Sequence, residues 1–235
     1  MEYALQVEHL AVRFGDRQVL NDLSFSVPRG ATVMVIGPNG CGKTVLFRAL
    51  LGVLPHEGRV TWAPGTRIGY VPQKLDLERD LPLSCNDFLA AKASVTGGGA
   101  LSIEDALARV GLPVAVSRQA IGTLSGGQFQ RLLLAFAMMG RPHVLLCDEA
   151  TAGVDEAGEQ SLLGVLHRLR ETEQLTLLLI SHDLSLIDSR VDTVLCLGRE
   201  GRAWTGPPDL VLTPESLREA YGVPLTFHRH DGHGG

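Results

Sequence analysis

The stretch GPNGCGKT, which runs from Gly37 to Thr44, decides how the rest of this sequence is interpreted. It matches the phosphate-binding pattern GxxxxGK[ST] and lies between the apolar segment Thr32–Ile36 and a helical pattern over Lys43–Gly52. Glycines let the backbone N–H groups of such a loop point inward, and the N-terminus of the next helix adds partial positive charge. The stretch therefore predicts a phosphate site between a buried strand and a helix.

A second apolar segment, Val144–Cys147, delivers two adjacent acids, Asp148 and Glu149. Ligands of parallel α/β sheets bind beyond the carboxyl ends of the strands, where these acids are expected to lie. Asp148 can hold Mg²⁺ through water, and Glu149 can polarise an attacking water. Two acids alone are also consistent with the simple end of a strand, but the phosphate loop upstream favours the catalytic interpretation.

The order of elements predicts an α/β fold, a P-loop NTPase core with a parallel sheet. Short strands over Ala4–His9, Gln18–Leu20 and Ser24–Val27 predict an N-terminal antiparallel β subdomain. The segment Lys74–Thr123 has a different texture, with Ser84 and Ser102 each placed as a helix N-cap. We therefore expect a mostly helical lobe inserted into the core, with strands and helices alternating again afterwards.

Composition excludes several classes of protein. The 235 residues include 26 acidic and 21 basic ones, a net charge of -5, so no basic field favours nucleic acid as a partner. The longest apolar stretch, Leu132–Met139, is far shorter than the roughly 20 residues of a membrane span. The N-terminus does not resemble a secretory signal. Four cysteines without a CxxC pair predict reduced thiols: Cys41, Cys85, Cys147 and Cys196.

The pentapeptide Leu124-Ser125-Gly126-Gly127-Gln128 identifies a family. Ser125 is placed as a helix N-cap beside two glycines, which offers a second nest for phosphate oxygens. Together with the strand that ends in Asp148 and Glu149, it resembles the signature of ATP-binding cassette (ABC) ATPases, and the resemblance covers nearly the whole chain. It implies a single ABC ATPase domain over 1–235, with a nucleotide-binding core (1–73 and 141–205), a helical lobe (74–140) and a C-terminal extension (206–235).

The resemblance also implies roles for individual residues. Gln73 resembles the glutamine that joins the core to the lobe and senses Mg²⁺ and the γ-phosphate, and His182 resembles the switch histidine. Asp155 resembles the aspartate that communicates across a dimer. Phe14 stands where the family often stacks an aromatic ring on adenine, although it is also consistent with a simple turn residue. The catalytic set implied is Lys43, Gln73, Glu149 and His182.

The cofactors implied are ATP and Mg²⁺, with the metal held through Thr44, Gln73 and Asp148. Two cassettes face head-to-tail in this family, so the chain is expected to pair with a copy or a homologous ATPase subunit, which supplies its signature residues Ser125, Gly126, Gly127 and Gln128 in trans. The remaining residues expected at ATP are contributed by the loop and its flanks: Phe14, Gly37, Pro38, Asn39, Gly40, Cys41, Gly42, Lys43, Thr44 and Val45.

The transported substance is indicated by resemblance alone. Residues 128–131, 80–83 and 151–155 resemble the ATPases of zinc and manganese importers, as does the tail. These work with a separate membrane permease, and indirectly with a substrate-binding protein, at the cytoplasmic face of the inner membrane. An importer of ferric chelates or cobalamin, an exporter, or a non-transport ABC ATPase are the alternatives. Three tail histidines either bind Zn²⁺ or belong to a solvated end: His228, His230 and His233.

Two positions depart from the family pattern. Ala150 replaces the proline that usually follows the two acids, and Phe136 stands where an arginine is common in the signature helix. Neither change removes a catalytic group, so the resemblance still implies an active ATPase.

Overall fold

The fold is taken from a computed structural model that describes residues 2–73, 75, 82–96, 99–150, 156–187, 190–198 and 201–222. The chain forms two compact units. The first comprises Met1–Thr66 with Thr176–Gly235, and the second comprises Arg67–Leu175. The subdomain boundaries expected from the sequence stay a prediction.

The first unit contains a three-stranded antiparallel sheet in the order β2-β1-β4: β1 is Tyr3–Phe14, β2 is Arg17–Pro28 and β4 is Glu57–Trp62. A tight hairpin joins the first two strands, since Phe14 pairs with Arg17. The expected antiparallel β subdomain is therefore present.

The expected break within the second strand is wrong, because Arg17–Pro28 is one continuous strand. The sequence suggests a break at Asn21 and Asp22, which are polar, but the pairing with β1 continues past them with shifts of register. Asp22 and His9 both have positive φ angles, 50° and 53°. Bulges of this kind absorb polar residues without ending a strand.

The same unit contains a second sheet, in which the order of its strands is β7-β3-β8-β9. The central strand β3 (Thr32–Ile36) is entirely buried and runs parallel to β7 (Thr176–Ile180) and β8 (Thr193–Leu197). The edge strand β9 (Ala203–Gly206) is antiparallel to β8. Continuous apolar runs are typical of parallel strands covered on both faces.

Three helices belong to the first unit. Helix α1 (Lys43–Leu50) follows the loop after β3, and the short α6 (Pro208–Val211) and α7 (Pro214–Tyr221) close the described part of the chain. Helix α7 packs against the end of β8, where a Cβ on Gly198 would lie 3.3 Å from the Cα of Ala220. The C-terminal region is thereby attached to the strand beside β3.

The second unit pairs β5 (Ile68–Val71) with the parallel strand β6 (Val144–Asp148) and adds four helices. These are α2 (Cys85–Thr96), α3 (Ile103–Arg109), α4 (Gly126–Met138) and α5 (Glu156–Glu173). Among the residues described, no helix is both long enough and apolar enough to span a bilayer.

The helix starts in this unit agree with the sequence. The backbone N–H of Asp87 donates to Ser84 Oγ (3.1 Å) at the start of α2, and that of Asp105 donates to Ser102 Oγ (3.0 Å) at the start of α3. Each serine satisfies a backbone donor that a helix N-terminus would otherwise leave unpaired. The two N-caps predicted from the sequence are confirmed.

Candidate nucleotide site

The phosphate loop of the first unit connects β3 to α1 and is held in shape by Lys43. Its Nζ donates to the carbonyl oxygens of Gly37 (2.8 Å) and Pro38 (3.3 Å), and only 6% of the residue is exposed. The ammonium is thus folded back over the start of the loop, at the N-terminus of a helix with no acidic residue in its first turn. An anion bound there would meet both the lysine and the helix dipole.

Two glycines of the loop leave no room for a side chain. Gly37 has a φ of 147°, and a Cβ there would lie 2.2 Å from the carbonyl oxygen of Leu197. Gly42 has a φ of 109°, and its Cβ would lie 2.9 Å from Val19 Cγ1. Both angles lie in the region that favours glycine. The pattern of glycines in the motif thus follows from backbone geometry as well as from the expected ligand.

A cavity of about 440 Å³ opens beside this loop. Phe14, at the tip of the β1–β2 hairpin, is 51% exposed and leaves a ring face accessible for stacking. Asn39 and Gly40 are exposed, whereas Thr44 and Val45 at the start of α1 are half-buried. The cavity is lined by the following residues, all of the first unit: Arg17, Gln18, Val19, Pro38, Asn39, Gly40, Cys41, Gly198 and Gly201.

His182 follows β7 and lies at the same edge of the sheet as the phosphate loop. Val35 of β3 is paired with Ile180 of β7, so these parallel neighbours end together. The backbone N–H of Asp183 donates to Ser181 Oγ (2.9 Å) in the turn that carries the histidine, and His182 itself is exposed. The structure therefore brings together two of the predicted catalytic residues, Lys43 and His182, at one sheet edge.

The two acids of the second unit lie at the end of β6. Asp148 is 1% exposed and accepts a hydrogen bond from the Tyr70 hydroxyl, 3.3 Å from its Oδ2. Glu149 has a φ of 48°, a left-handed conformation that is uncommon for residues other than glycine. Its Oε2 accepts a hydrogen bond from Gln73 Nε2 at 2.5 Å. Predicted residues Gln73 and Glu149 are thus in direct contact.

The signature segment begins α4 through a reciprocal capping box. The backbone N–H of Gln128 donates to Ser125 Oγ (3.2 Å), and the Ser125 N–H donates to Gln128 Oε1 (3.0 Å). Ser125 and Gly126 are exposed. The segment is therefore rigid and accessible, which suits a group that binds a ligand.

Phe136 of the signature helix stacks on Phe88 of α2, with ring centroids 4.5 Å apart. The ammonium of Lys92 lies 5.4 Å from the Phe136 ring. An aromatic contact between α2 and α4 therefore occupies the position where the family commonly has an arginine. Ala150, the other departure, is buried.

The four cysteines are free thiols, as expected. Burial raises the pKa of Cys41, which the charge of nearby Lys43 partly opposes. Burial also raises the pKa of Cys196 to about 12 and that of Cys147 further. These thiols are poor nucleophiles and poor metal ligands at neutral pH, because the thiolate is the reactive form.

Some predicted residues lie outside the described part of the chain. These are Asp155, the 151–155 segment around it, and the tail histidines His228, His230 and His233. Sequence reasoning missed Tyr70, which no motif marks. The alternation of side chains along β5 and β6 offered the only signal that could have indicated it.

A family model described as ABC transporter matches residues 20–152, which is more than half of the chain. The chain belongs to this family, and the fold class and the family resemblance inferred from the sequence are both confirmed. Its relatives narrow the comparison. It is 40% identical over 231 residues to the zinc import ATP-binding protein ZnuC of Cereibacter sphaeroides, a match that covers 96% of this chain and 93% of the relative.

A second relative and a solved structure agree with that match. The zinc import ATP-binding protein ZnuC of Photorhabdus laumondii is 37% identical over 238 residues, covering 98% of this chain and 91% of its own. A chain from an ABC transporter described as of the metal-chelate type, in an inward-facing conformation, superposes with a TM-score of 0.85 at 26% identity, covering 96% of this chain and 91% of that one.

Proposed function

We propose that this chain is the ATP-hydrolysing subunit of a zinc importer and powers transport through a separate membrane permease. The observation that carries this proposal is the near full-length similarity to zinc import ATP-binding proteins. The ATPase role is supported by the phosphate loop and by the acids of β6, which keep every catalytic residue of the family pattern. Manganese is the neighbouring cargo, and a metal chelate, an exported substance or a non-transport role are the alternatives.

In the proposed reaction, the phosphate loop and Lys43 hold the β- and γ-phosphates of ATP, and Phe14 stacks on the adenine. Glu149 orients a water and accepts its proton while the water oxygen attacks the γ-phosphorus. The bond from that phosphorus to the bridging oxygen then breaks, which releases ADP and phosphate. His182 contacts the γ-phosphate, and Gln73 reports its presence to the lobe.

Magnesium fits the donor groups that the chain offers. Asp148 presents a buried carboxylate and Thr44 a hydroxyl, and hard oxygen donors of this kind are the ligands that Mg²⁺ prefers. Gln73 would add an amide oxygen. When bound, the ion neutralises negative charge that develops on the phosphate oxygens. The residues named here orient it and leave the remaining positions to ATP and water.

The proposal includes a second cassette, because each ATP would lie between the phosphate loop of one chain and Ser125, Gly126, Gly127 and Gln128 of the partner chain. Asp155 would carry communication between the two. ATP would favour the closed dimer, and hydrolysis would reopen it. The permease would place the complex at the cytoplasmic face of the inner membrane, as a peripheral subunit that meets a substrate-binding protein only indirectly.

Two capping serines separate the role of the signature from its structural role. Ser102→Ala and Ser125→Ala each remove a helix cap, so each is expected to lower the free energy of unfolding by about 1 kcal/mol. We expect Ser125→Ala alone to lower ATP hydrolysis, because only Ser125 would contact ATP across the dimer. Chemical denaturation and ATPase rates measure both effects. Equal ATPase rates for the two variants would contradict the role in trans.

The tail offers a separate test of zinc binding. His228, His230 and His233 are proposed to bind Zn²⁺, since three imidazoles within a short segment match its ligand preference. Calorimetric titration of zinc into the full chain and into a chain lacking residues 228–235 is expected to show one site lost. Identical isotherms would contradict the tail site and leave the importer proposal standing.

The importer proposal is tested by deleting the gene in its source organism and measuring cellular metal content in zinc-limited medium. We expect low zinc, restored by the wild-type chain and not by Glu149→Gln. Manganese and iron are measured in the same cells as controls. Normal zinc with a fall in iron or cobalt would contradict zinc as the cargo and favour a chelate importer.

A further inference from the structure

We propose that Tyr70 is a positioning residue for Asp148, one that fixes this carboxylate for magnesium. The inference rests on the proposed function, in which Asp148 helps to hold Mg²⁺, and it adds a residue that lies outside the phosphate loop, the acids and the signature. The feature that carries it is the hydrogen bond from the Tyr70 hydroxyl to Asp148 Oδ2, 3.3 Å long.

The register of β5 and β6 explains why this tyrosine reaches that carboxylate. The strands are parallel, and Tyr70 is paired with Leu146. Paired residues point to the same face of a sheet, and so do residues two apart along one strand. Tyr70, Leu146 and Asp148 therefore share a face. A long aromatic side chain can span the diagonal step from one strand to the next residue on that face.

The opposite face of β5 is closed to a side chain of this size. Gly69, the neighbour of Tyr70, faces α4 so closely that a Cβ there would lie 2.9 Å from the carbonyl oxygen of Ala137. Packing of α4 against Gly69 fixes which way the strand faces. Tyr70 is consequently directed toward the face that carries Asp148, and a rotation of the strand to release it is blocked by backbone.

Burial makes the hydrogen bond effective. Asp148 is 1% exposed, so water competes little for its Oδ2, and a donor in such a place restricts the orientation of the carboxylate. A phenol is also the right kind of donor, because it is neutral at physiological pH and leaves the negative charge of the carboxylate available to a cation. An arginine or lysine in its place would compete with the metal.

Loss of such a partner has a characteristic size. Hydrogen-bond partners of metal ligands typically contribute about 10-fold to 100-fold in metal affinity, because they orient the ligand. Tyr70→Phe keeps the ring and removes only the hydroxyl. We expect about 10-fold more Mg²⁺ to be needed for half-maximal Mg²⁺-dependent binding of a fluorescent ATP analogue. Binding of the analogue in EDTA, which the metal does not assist, should be unchanged.

The control is Tyr3→Phe, which removes a hydroxyl from an exposed position on β1 and should alter neither titration. A cycle with Asp148→Asn completes the test, because Tyr70→Phe should have no further effect once the carboxylate is gone. Thermal unfolding of each variant, followed by circular dichroism, measures any general loss of stability.

The outcomes separate this inference from the proposed function. A normal Mg²⁺ requirement in Tyr70→Phe, or an equal loss of binding in EDTA, would overturn the role of Tyr70. An additive effect in the Asp148→Asn background would overturn it as well. If Asp148→Asn itself left the Mg²⁺ requirement unchanged, the magnesium assignment of the proposed function would fail, and with it the reason for positioning Asp148.

Discussion

Lys43→Ala is expected to lower ATP hydrolysis by about 100-fold to 1,000-fold, the usual effect of removing a group that stabilises charge in a transition state. The reason is local. The Lys43 ammonium is nearly buried and bonded to the Gly37 and Pro38 carbonyl oxygens, so it both shapes the phosphate loop and provides its positive charge. Its loss should weaken nucleotide binding and turnover together. Steady-state kinetics and titration with a fluorescent nucleotide measure the two effects.

Two further variants define that result. Lys43→Arg keeps the charge, but its guanidinium is planar and larger, so we expect it to recover little activity if geometry is decisive. Lys92→Ala removes a lysine of α2 that lies over the Phe136 ring, and it should leave ATP hydrolysis by the isolated subunit unchanged. Unaltered kinetics for Lys43→Ala would refute the phosphate-loop interpretation.

Glu149→Gln is expected to lower hydrolysis by about 100-fold to 10,000-fold, the range of general-base catalysis, while ATP binding is retained. The amide keeps the size of the side chain and loses its ability to accept a proton from water. Because closure of the dimer needs bound ATP and reopening needs hydrolysis, this variant should accumulate as an ATP-bound dimer. Size-exclusion chromatography with light scattering, with and without ATP, measures the mass.

The matched control is Glu171→Gln, an isosteric change at an exposed position on α5 that should hydrolyse ATP normally and show no dimer trapping. The hydrogen bond between Gln73 and Glu149 gives a second comparison. Gln73→Ala removes the donor but leaves the base, so its rate should lie between those of the wild type and Glu149→Gln. Normal hydrolysis by Glu149→Gln would show that another group is the base.

Local patterns predicted much of this site because they depend on near neighbours in the sequence. The phosphate loop follows from glycines that must adopt positive φ angles, and the caps of α3 and α4 follow from Ser102 and Ser125 at their starts. Continuous apolar runs predicted the buried strands β3, β6 and β7. In each case the physical cause lies within a few residues of its effect.

Features that depend on contacts between distant segments could not be predicted in the same way. Tyr70 reaches Asp148 only because β5 and β6 are parallel in one register, and single-sequence patterns do not fix register. The stacking of Phe88 on Phe136 depends on how α2 meets α4. The continuity of β2 was missed because a bulge with a positive φ angle at Asp22 resembles a break when only polarity is considered.

The central claim, that this chain couples ATP hydrolysis to zinc import, is tested most directly in proteoliposomes. The chain is purified with its permease, reconstituted with ATP on the side of the ATPase, and given radioactive zinc with the binding protein on the opposite side. We predict ATP-dependent zinc accumulation that Lys43→Ala and Glu149→Gln abolish. Hydrolysis of ATP without zinc accumulation, or accumulation that persists in both variants, would contradict the claim.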